Sequence, residues 1–234
     1  MIDILMIFAA GIGSRLRPIT DNTPKPLVHV AGKPILYHVL DFALKFNFKK
    51  IIINCHHLHE QIKKAVEIYK NRFDIQVEIV ILHEPVLLET GGTIKNAYPL
   101  FEGREAIFTL NSDSIISNNT FVWQSMIEQW NPLTMDFLLL LNKVDKSFGT
   151  VGRGDFDINH DGSLNCNNEL RQLIYTGLQI LKPDLIKQNI NDIFSLKEYY
   201  KTSQNKLYGQ IHAGNFYHIS NIRDYEKISA IKIL

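Results

Sequence analysis

Three short runs, Ile2–Phe8, Lys50–Asn54 and Ala106–Leu110, are apolar through their centres, and each ends abruptly in small or polar residues. A run of that length without alternation is what a strand buried on both faces requires, because both sets of side chains must then be apolar. The stretches between them have helical spacing. Pro34–Phe46 repeats apolar residues at Ile35, Val39, Leu40, Ala43 and Leu44, with proline in the first turn, where its missing N–H is tolerated. Leu58–Tyr69 reads as a charged amphipathic helix, Ile75–Leu82 as a further strand with partial alternation, and Thr93–Leu100 as a short helix ending near Pro99. Strands alternating with helices predict an α/β fold. It has a mostly parallel central sheet of βαβ units, helices on both faces, and ligands at the carboxyl ends of the strands.

The second half is less regular. Phe121–Trp130, Ser195–Thr202 and Ile222–Ile231 read as helices, and Asp136–Leu141 as a strand. Phe148–Ile158 and Gln172–Leu181 read as two strands joined through an Asn- and Asp-rich turn region, Asn159–Asn168. No repeat, low-complexity tract or linker interrupts the 234 residues, which suits one domain over 1–234. Hydrophobic residues, at 45%, supply a sizeable core, and a formal net charge of +1 gives no electrostatic footprint for nucleic acid or a membrane surface. Two cysteines, Cys55 and Cys166, make neither a disulfide framework nor a zinc site, and the Cys55-His56-His57 cluster lacks zinc-ligand spacing. The N-terminus has no basic segment, its apolar run is broken by Gly11 and Gly13, and no apolar stretch approaches membrane-spanning length. The expected location is the cytoplasm.

The first apolar run opens into Ala9-Ala10-Gly11-Ile12-Gly13-Ser14-Arg15-Leu16-Arg17-Pro18, and Pro24-Lys25-Pro26-Leu27 follows. Glycines let the backbone turn tightly and approach a ligand, and basic side chains beside such a turn suit a polyphosphate. A dinucleotide fingerprint would need glycine where Leu16 stands, and Pro18 cuts short the helix it would open. A P-loop would need Gly-Lys-Ser/Thr, which is absent. The run resembles instead the signature of the sugar-1-phosphate nucleotidyltransferases, L-A-A-G-x-G-x-R-[L/M]-x-P-x-T followed by P-K-P-[L/M], and departs from it only at Phe8.

The resemblance implies a Rossmann-like nucleotide-diphospho-sugar transferase fold, with a nucleotide-binding half over about 1–115 and a sugar-phosphate-binding half over about 116–234. It implies that an NTP and a sugar 1-phosphate condense to an NDP-sugar and pyrophosphate. Ala9, Ala10, Gly11, Gly13 and Ser14 would cradle the nucleotide. Arg15 would neutralise the β- and γ-phosphates as pyrophosphate leaves, and Lys25 would hold the α-phosphate and the incoming sugar phosphate. Leu88-Glu89-Thr90-Gly91-Gly92-Thr93 would lie against the nucleobase, with Gly91 and Gly92 admitting the ring. Its spelling, together with Glu84 and the run Gly152-Arg153-Gly154-Asp155-Phe156, is similar to that of the N-acetylmuramate-1-phosphate uridylyltransferases. Gly152, and Thr176 and Gly177 in Tyr175-Thr176-Gly177, would meet the sugar phosphate.

Asp113, closing Asn111-Ser112-Asp113 after a buried run, would ligate Mg²⁺ on the nucleotide phosphates. The family's second metal aspartate lies in a D-[V/I]-G-T run before the last helix. Aligned on His212-Ala213-Gly214-Asn215, that position becomes His212, and an imidazole suits softer ions such as Mn²⁺ better than Mg²⁺. UTP and N-acetylmuramate 1-phosphate are the expected substrates. GTP with mannose 1-phosphate, or another hexose 1-phosphate pair, is the alternative, and a nucleotide- or sugar-binding protein of weak catalytic power is the reading His212 would favour. No nucleic-acid or membrane partner is expected, and the protein would act as a monomer or homodimer.

Overall fold

The computed structural model describes residues 1–117, 121–149, 152–165, 171–203 and 206–231; Cys166 and the end of the 159–168 turn region lie outside them. The first half holds strand β1 (Ile4–Phe8), the hairpin β2 (His29–Val30) and β3 (Lys33–Pro34), helix α1 (Ile35–Ala43), β4 (Lys50–Cys55), α2 (His59–Phe73), β5 (Glu78–His83), α3 (Glu89–Ala97), β6 (Ile107–Asn111) and β7 (Ser114–Ile116). The second half holds α4 (Val122–Gln129), β8 (Phe137–Lys143), β9 (Ser147–Gly149), β10 (Asp157–Ile158), β11 (Leu164–Asn165) and β12 (Leu173–Leu181). It continues through α5 (Pro183–Lys187), α6 (Lys197–Thr202), β13 (Leu207–Ile211), β14 (Phe216–His218) and α7 (Ile222–Ser229).

Seven strands form one sheet in the order β13-β8-β12-β6-β1-β4-β5. Its pairings are parallel except the two made by β12, so the expected mostly parallel sheet is present and both halves contribute to it. The unbroken apolar run of β1 has a direct cause. Leu5 and Ile7 enter the core on one face with Leu40, Val66 and Trp123 of the α1, α2 and α4 helices. Ile4 and Met6 enter the core on the other face with Ile94, Ile186 and Tyr200 of α3, α5 and α6. All four strand residues are 0% exposed, and each buried side chain of this size contributes about 1.5–3 kcal/mol.

Some elements differ from expectation. Helix α3 starts at Glu89 rather than Thr93, so Gly91 and Gly92 lie inside it instead of before it. The helix can start early because its glycines fit a tight contact. A Cβ on Gly91 would sit 2.3 Å from the Phe194 ring, and one on Gly92 2.1 Å from the Asp192 carbonyl oxygen. Phe148–Ile158 is not a single strand: β9 pairs with β14, whereas β10 pairs with β11. Between them the Gly154 N–H leaves any regular ladder and donates to the Arg171 carbonyl at 2.9 Å. Strand β13 went unread because it is a sheet edge whose sequence, Leu-Tyr-Gly-Gln-Ile, mixes glycine and glutamine into the apolar pattern. Helix α7 begins where expected, with the Asn221 side chain accepting the Asp224 N–H, a cap that stabilises by about 1 kcal/mol. No helix among the described residues is long and apolar enough to cross a membrane.

Candidate active site

Strand register brings the site together. Phe8 at the end of β1 lies level with Asn54 of β4 on one side and Asn111 of β6 on the other. The segments leaving the three strands therefore open into one place, at carboxyl ends as the sheet type requires. The Ala9 N–H donates to the Asn54 Oδ1 at 2.8 Å, which ties the first turn of the loop to the neighbouring strand. Gly13 then takes φ +71°, a left-handed conformation that glycine adopts without strain. A Cβ at Gly13 would sit 2.9 Å from the Lys25 Cβ, so the same glycine that turns the loop makes room for the lysine. Ala10, Gly11, Gly13, Ser14, Arg15 and Lys25 all line a chamber of about 450 Å³, with Asp113 on its wall.

Lys25 is 9% exposed, and its Nζ donates to the Asp113 Oδ2 at 2.5 Å. The His218 Nε2 lies 3.4 Å from the same oxygen. Burial alone would raise the Asp113 carboxyl. The Lys25 ammonium and the His218 ring outweigh it and hold the group well below the usual carboxylate range. Asp113 is thus ionised at any physiological pH, and Lys25 is an inner wall residue rather than a solvated loop cation. Arg15, in contrast, is exposed at the mouth of the chamber.

A second cavity of about 820 Å³ adjoins the first, and Phe8, Thr90, Asn111 and Ser195 line both. Gly152 lines this second cavity, but Thr176 and Gly177 do not. Thr176 is 0% exposed and donates its hydroxyl to the Leu140 carbonyl at 2.9 Å, filling the irregularity of β12 between Tyr175 and Gln179. Tyr175 and Gln179 face the cavity instead. Gly177 has φ +86°, and a Cβ there would meet the Asn111 side chain at 2.8 Å, so its part is to let Asn111 stand at the junction of the two chambers.

Glu84, Gly91 and Gly92 are placed beneath the surface of the site. Glu84 is 0% exposed and accepts the Thr93 hydroxyl at 2.7 Å and the Asn54 amide at 3.1 Å; Asn54 and Thr93 are the residues that reach the chamber. Burial raises the Glu84 carboxyl, opposed by the bonds from Thr93 and Asn54. Glu89, Thr90 and Thr93 of the glycine-pair motif, with Leu87 just before it, form the chamber wall, while Gly91 and Gly92 face the 192–194 segment.

The structure sets His218, and not His212, beside Asp113. Strands β7 and β14 are antiparallel, with Ser114 opposite His218 and Ile116 opposite Phe216. Asp113, immediately before β7, therefore meets His218 at one end of this ribbon. His212 sits at the other end, 2% exposed, with its Nε2 3.0 Å from the Ser117 carbonyl oxygen. Asp113 and Ser117, at the two ends, are four residues apart, about 13 Å at about 3.3 Å each. Burial also pushes the His212 imidazole below its ordinary value, away from a cationic role. The sequence held a signal for this. His218-Ile219-Ser220-Asn221 abuts the last helix directly and carries isoleucine in the [V/I] place of the family's run, whereas His212-Ala213-Gly214-Asn215 does neither.

Among the described residues no three His, Cys, Asp or Glu side chains converge as a metal cage. Asp113 supplies one carboxylate and His218 one imidazole. That donor set fits a divalent cation that arrives with nucleotide phosphates, since magnesium typically takes only one or two protein carboxylates there.

Residues 4–161 match the Nucleotidyl transferase family. The chain is 33% identical over 202 residues to an N-acetylmuramate alpha-1-phosphate uridylyltransferase of Caulobacter vibrioides, covering 85% of this chain and 83% of that one. It is 29% identical over 232 residues to the protein of that name from Neisseria meningitidis, covering 97% and 96%. A mannose-1-phosphate guanylyltransferase catalytic subunit beta of Drosophila pseudoobscura is 36% identical over 111 residues, covering 47% of this chain and 29% of that one. Among solved structures, HddC from Yersinia pseudotuberculosis complexed with GMP-PN superposes with a TM-score of 0.80 at 25% identity, covering 97% and 98% of the two chains. The match from β1 to β10, with the glycine loop, Lys25 and Asp113 gathered on one chamber, identifies the chain as a sugar-1-phosphate nucleotidyltransferase of the nucleotidyl transferase family.

Proposed function

We propose that this enzyme condenses UTP with N-acetylmuramate 1-phosphate, giving the UDP-sugar and pyrophosphate. The observation that carries this reading is the pair of adjoining chambers, one with the glycine loop, Arg15, Lys25 and Asp113, the other of a size for a substituted hexose. The choice of substrates is supported by the two relatives of that name that align over most of this chain.

In this reading the nucleotide lies along Ala10 to Ser14 and presents its α-phosphorus at the junction by Asn111. A sugar-phosphate oxygen attacks that phosphorus in line, the bond from the α-phosphorus to the bridging oxygen breaks, and the electron pair leaves with pyrophosphate. The attacking phosphate is already ionised at neutral pH, so the reaction needs no general base. Catalysis then consists of positioning and of charge placed where it develops. Lys25 holds the α-phosphate and the incoming phosphate, and Arg15 meets the departing pyrophosphate. Asp113 fixes Lys25 in place and, with His218 beside it, would hold Mg²⁺ or Mn²⁺ on the phosphates, where the ion would neutralise negative charge. A reaction that consumes nucleoside triphosphate also suits the cytoplasm.

The second reading, GTP with mannose 1-phosphate, is favoured by guanylyltransferase relatives such as that of Drosophila pseudoobscura, which aligns over 47% of the chain. Pyrophosphate release measured for the four NTPs against N-acetylmuramate 1-phosphate, mannose 1-phosphate and glucose 1-phosphate separates the two. The highest kcat/KM for UTP with N-acetylmuramate 1-phosphate is expected. A higher value for GTP with mannose 1-phosphate would overturn the substrate assignment and leave the reaction class standing.

A further inference from the structure

The sugar-side cavity is lined by four cations, Arg153, Arg171, Lys197 and Lys201, and by a single acid, Asp155. None of the four makes an ion pair among the described residues. Asp155 is already engaged, its Oδ2 accepting the Tyr175 N–H at 2.9 Å. The Arg171 Nε is sealed from solvent and has no hydrogen-bond partner in the protein, which leaves a buried donor at the cavity for a ligand or water to complete. Lys197 and Lys201 stand four apart on α6 and so lie on one side of it, where both reach the cavity.

These charges are set apart from the reacting phosphates. The phosphate chamber has its own cations, Arg15 and Lys25, and shares none of the four. Arg153 and Arg171 also border a third cleft of about 770 Å³ that has no residue in common with the phosphate chamber, which puts them at the far end of the sugar cavity. A neutral hexose asks for paired neutral donors and acceptors rather than for net charge. It gives four like charges nothing to meet.

Resting on the nucleotidyl-transfer reading above, we propose that this cavity reads a carboxylate carried by the sugar, so that the substrate class is an acidic sugar 1-phosphate. Arg171 and Arg153 are its specificity-determining residues, since the planar guanidinium fork matches a carboxylate, and Lys197 and Lys201 add to the positive field.

N-acetylmuramate 1-phosphate and N-acetylglucosamine 1-phosphate differ by one lactyl ether, hence by that carboxylate, and pyrophosphate release from each with UTP tests the proposal on the intact protein. The acidic sugar should have the higher kcat/KM by about tenfold or more, and its advantage should shrink as KCl is raised. Arg171→Gln should lower the acidic-to-neutral ratio by roughly 10- to 100-fold, the scale of a lost charged hydrogen bond, and Arg171→Lys by less; melting temperatures check that both variants fold. Arg153→Gln should lower the ratio in the same direction. Equal kcat/KM for the two sugars, or a ratio unmoved in both glutamine variants, would overturn the proposal while leaving nucleotidyl transfer intact. A hexose 1,6-bisphosphate used better than the muramate sugar would overturn the carboxylate assignment. Release from no sugar with any NTP would overturn both readings together.

Discussion

Replacing Lys25 by methionine removes one member of a mostly buried ion pair while keeping its apolar stem. The Nζ–Oδ2 distance of 2.5 Å corresponds to a gross attraction of about 7 kcal/mol at an effective dielectric of about 20, before the desolvation of either partner is subtracted. Stranding one member of a buried pair typically destabilises by about 3–5 kcal/mol. The expected loss here is about 2–3 kcal/mol, because the Asp113 side chain keeps 22% of its exposure and His218 remains beside the same oxygen. For a chain of this length that lowers Tm by about 4–12 °C. Scanning calorimetry of Lys25→Met, Asp113→Asn and the double variant measures it as a thermodynamic cycle. The double variant should be less destabilised than the sum of the singles, since it leaves no unpaired charge. Turnover of Lys25→Met should fall by at least about 100-fold, the scale of losing one electrostatic stabiliser. Arg15→Ala should lose turnover on the same scale without the stability loss, as its side chain is exposed at the chamber mouth. If Lys25→Met melts within a degree of the parent, or the double variant loses the full sum, the reasoning from the buried pair is refuted.

His218→Asp should lower the Mg²⁺ concentration needed for half-maximal rate and reduce any advantage of Mn²⁺, whereas His212→Gln should leave the metal titration unmoved; the opposite pattern would return the metal position to His212. Glu84→Gln should raise Tm at pH 7–8, and the gain should fade as pH falls through the ordinary carboxylate range. The sign follows because burial raises the folded-state carboxyl, so the folded protein loses stability relative to the unfolded chain as pH climbs past the unfolded value; a pH-independent difference in melting would contradict it. Gly91→Ala should destabilise by about 1–3 kcal/mol in urea unfolding, because its Cβ would overlap the Phe194 ring at 2.3 Å, and an unchanged midpoint would show that the 192–196 segment yields freely.

How much could be read beforehand depended on whether local chemistry or remote packing decided each residue. The β1 run and its glycine loop were readable because burial on both faces and a tight turn each leave a local mark in residue type. Lys25 was read from its motif as a phosphate-binding residue on a loop. Its burial depends on Asp113, 88 residues away, which no local pattern records. The glycine pair at 91–92 looked like a loop opening toward a base, yet its small size answers to Phe194 and Asp192 across a tertiary contact. Thr176 and Gly177 were assigned to the sugar phosphate on the family resemblance alone. The irregularity of β12 turns Tyr175 and Gln179 to the cavity instead. The family's run was aligned on His212, six residues before His218, and only the pairing of β14 with β7, remote in sequence, sets His218 beside Asp113.

The central claim is that this chain joins a nucleotide to a sugar phosphate with pyrophosphate as the leaving group. Phosphorus NMR of the protein with UTP, N-acetylmuramate 1-phosphate and Mg²⁺ tests it most directly, because every phosphorus atom is followed at once. The account predicts that the sugar monophosphate signal and the three UTP signals decline together. A free pyrophosphate resonance and a coupled pair from the UDP-sugar should rise in equal amounts. Release of orthophosphate with the sugar phosphate signal intact, or a spectrum unchanged with this pair and every other NTP and sugar 1-phosphate tried, would contradict it.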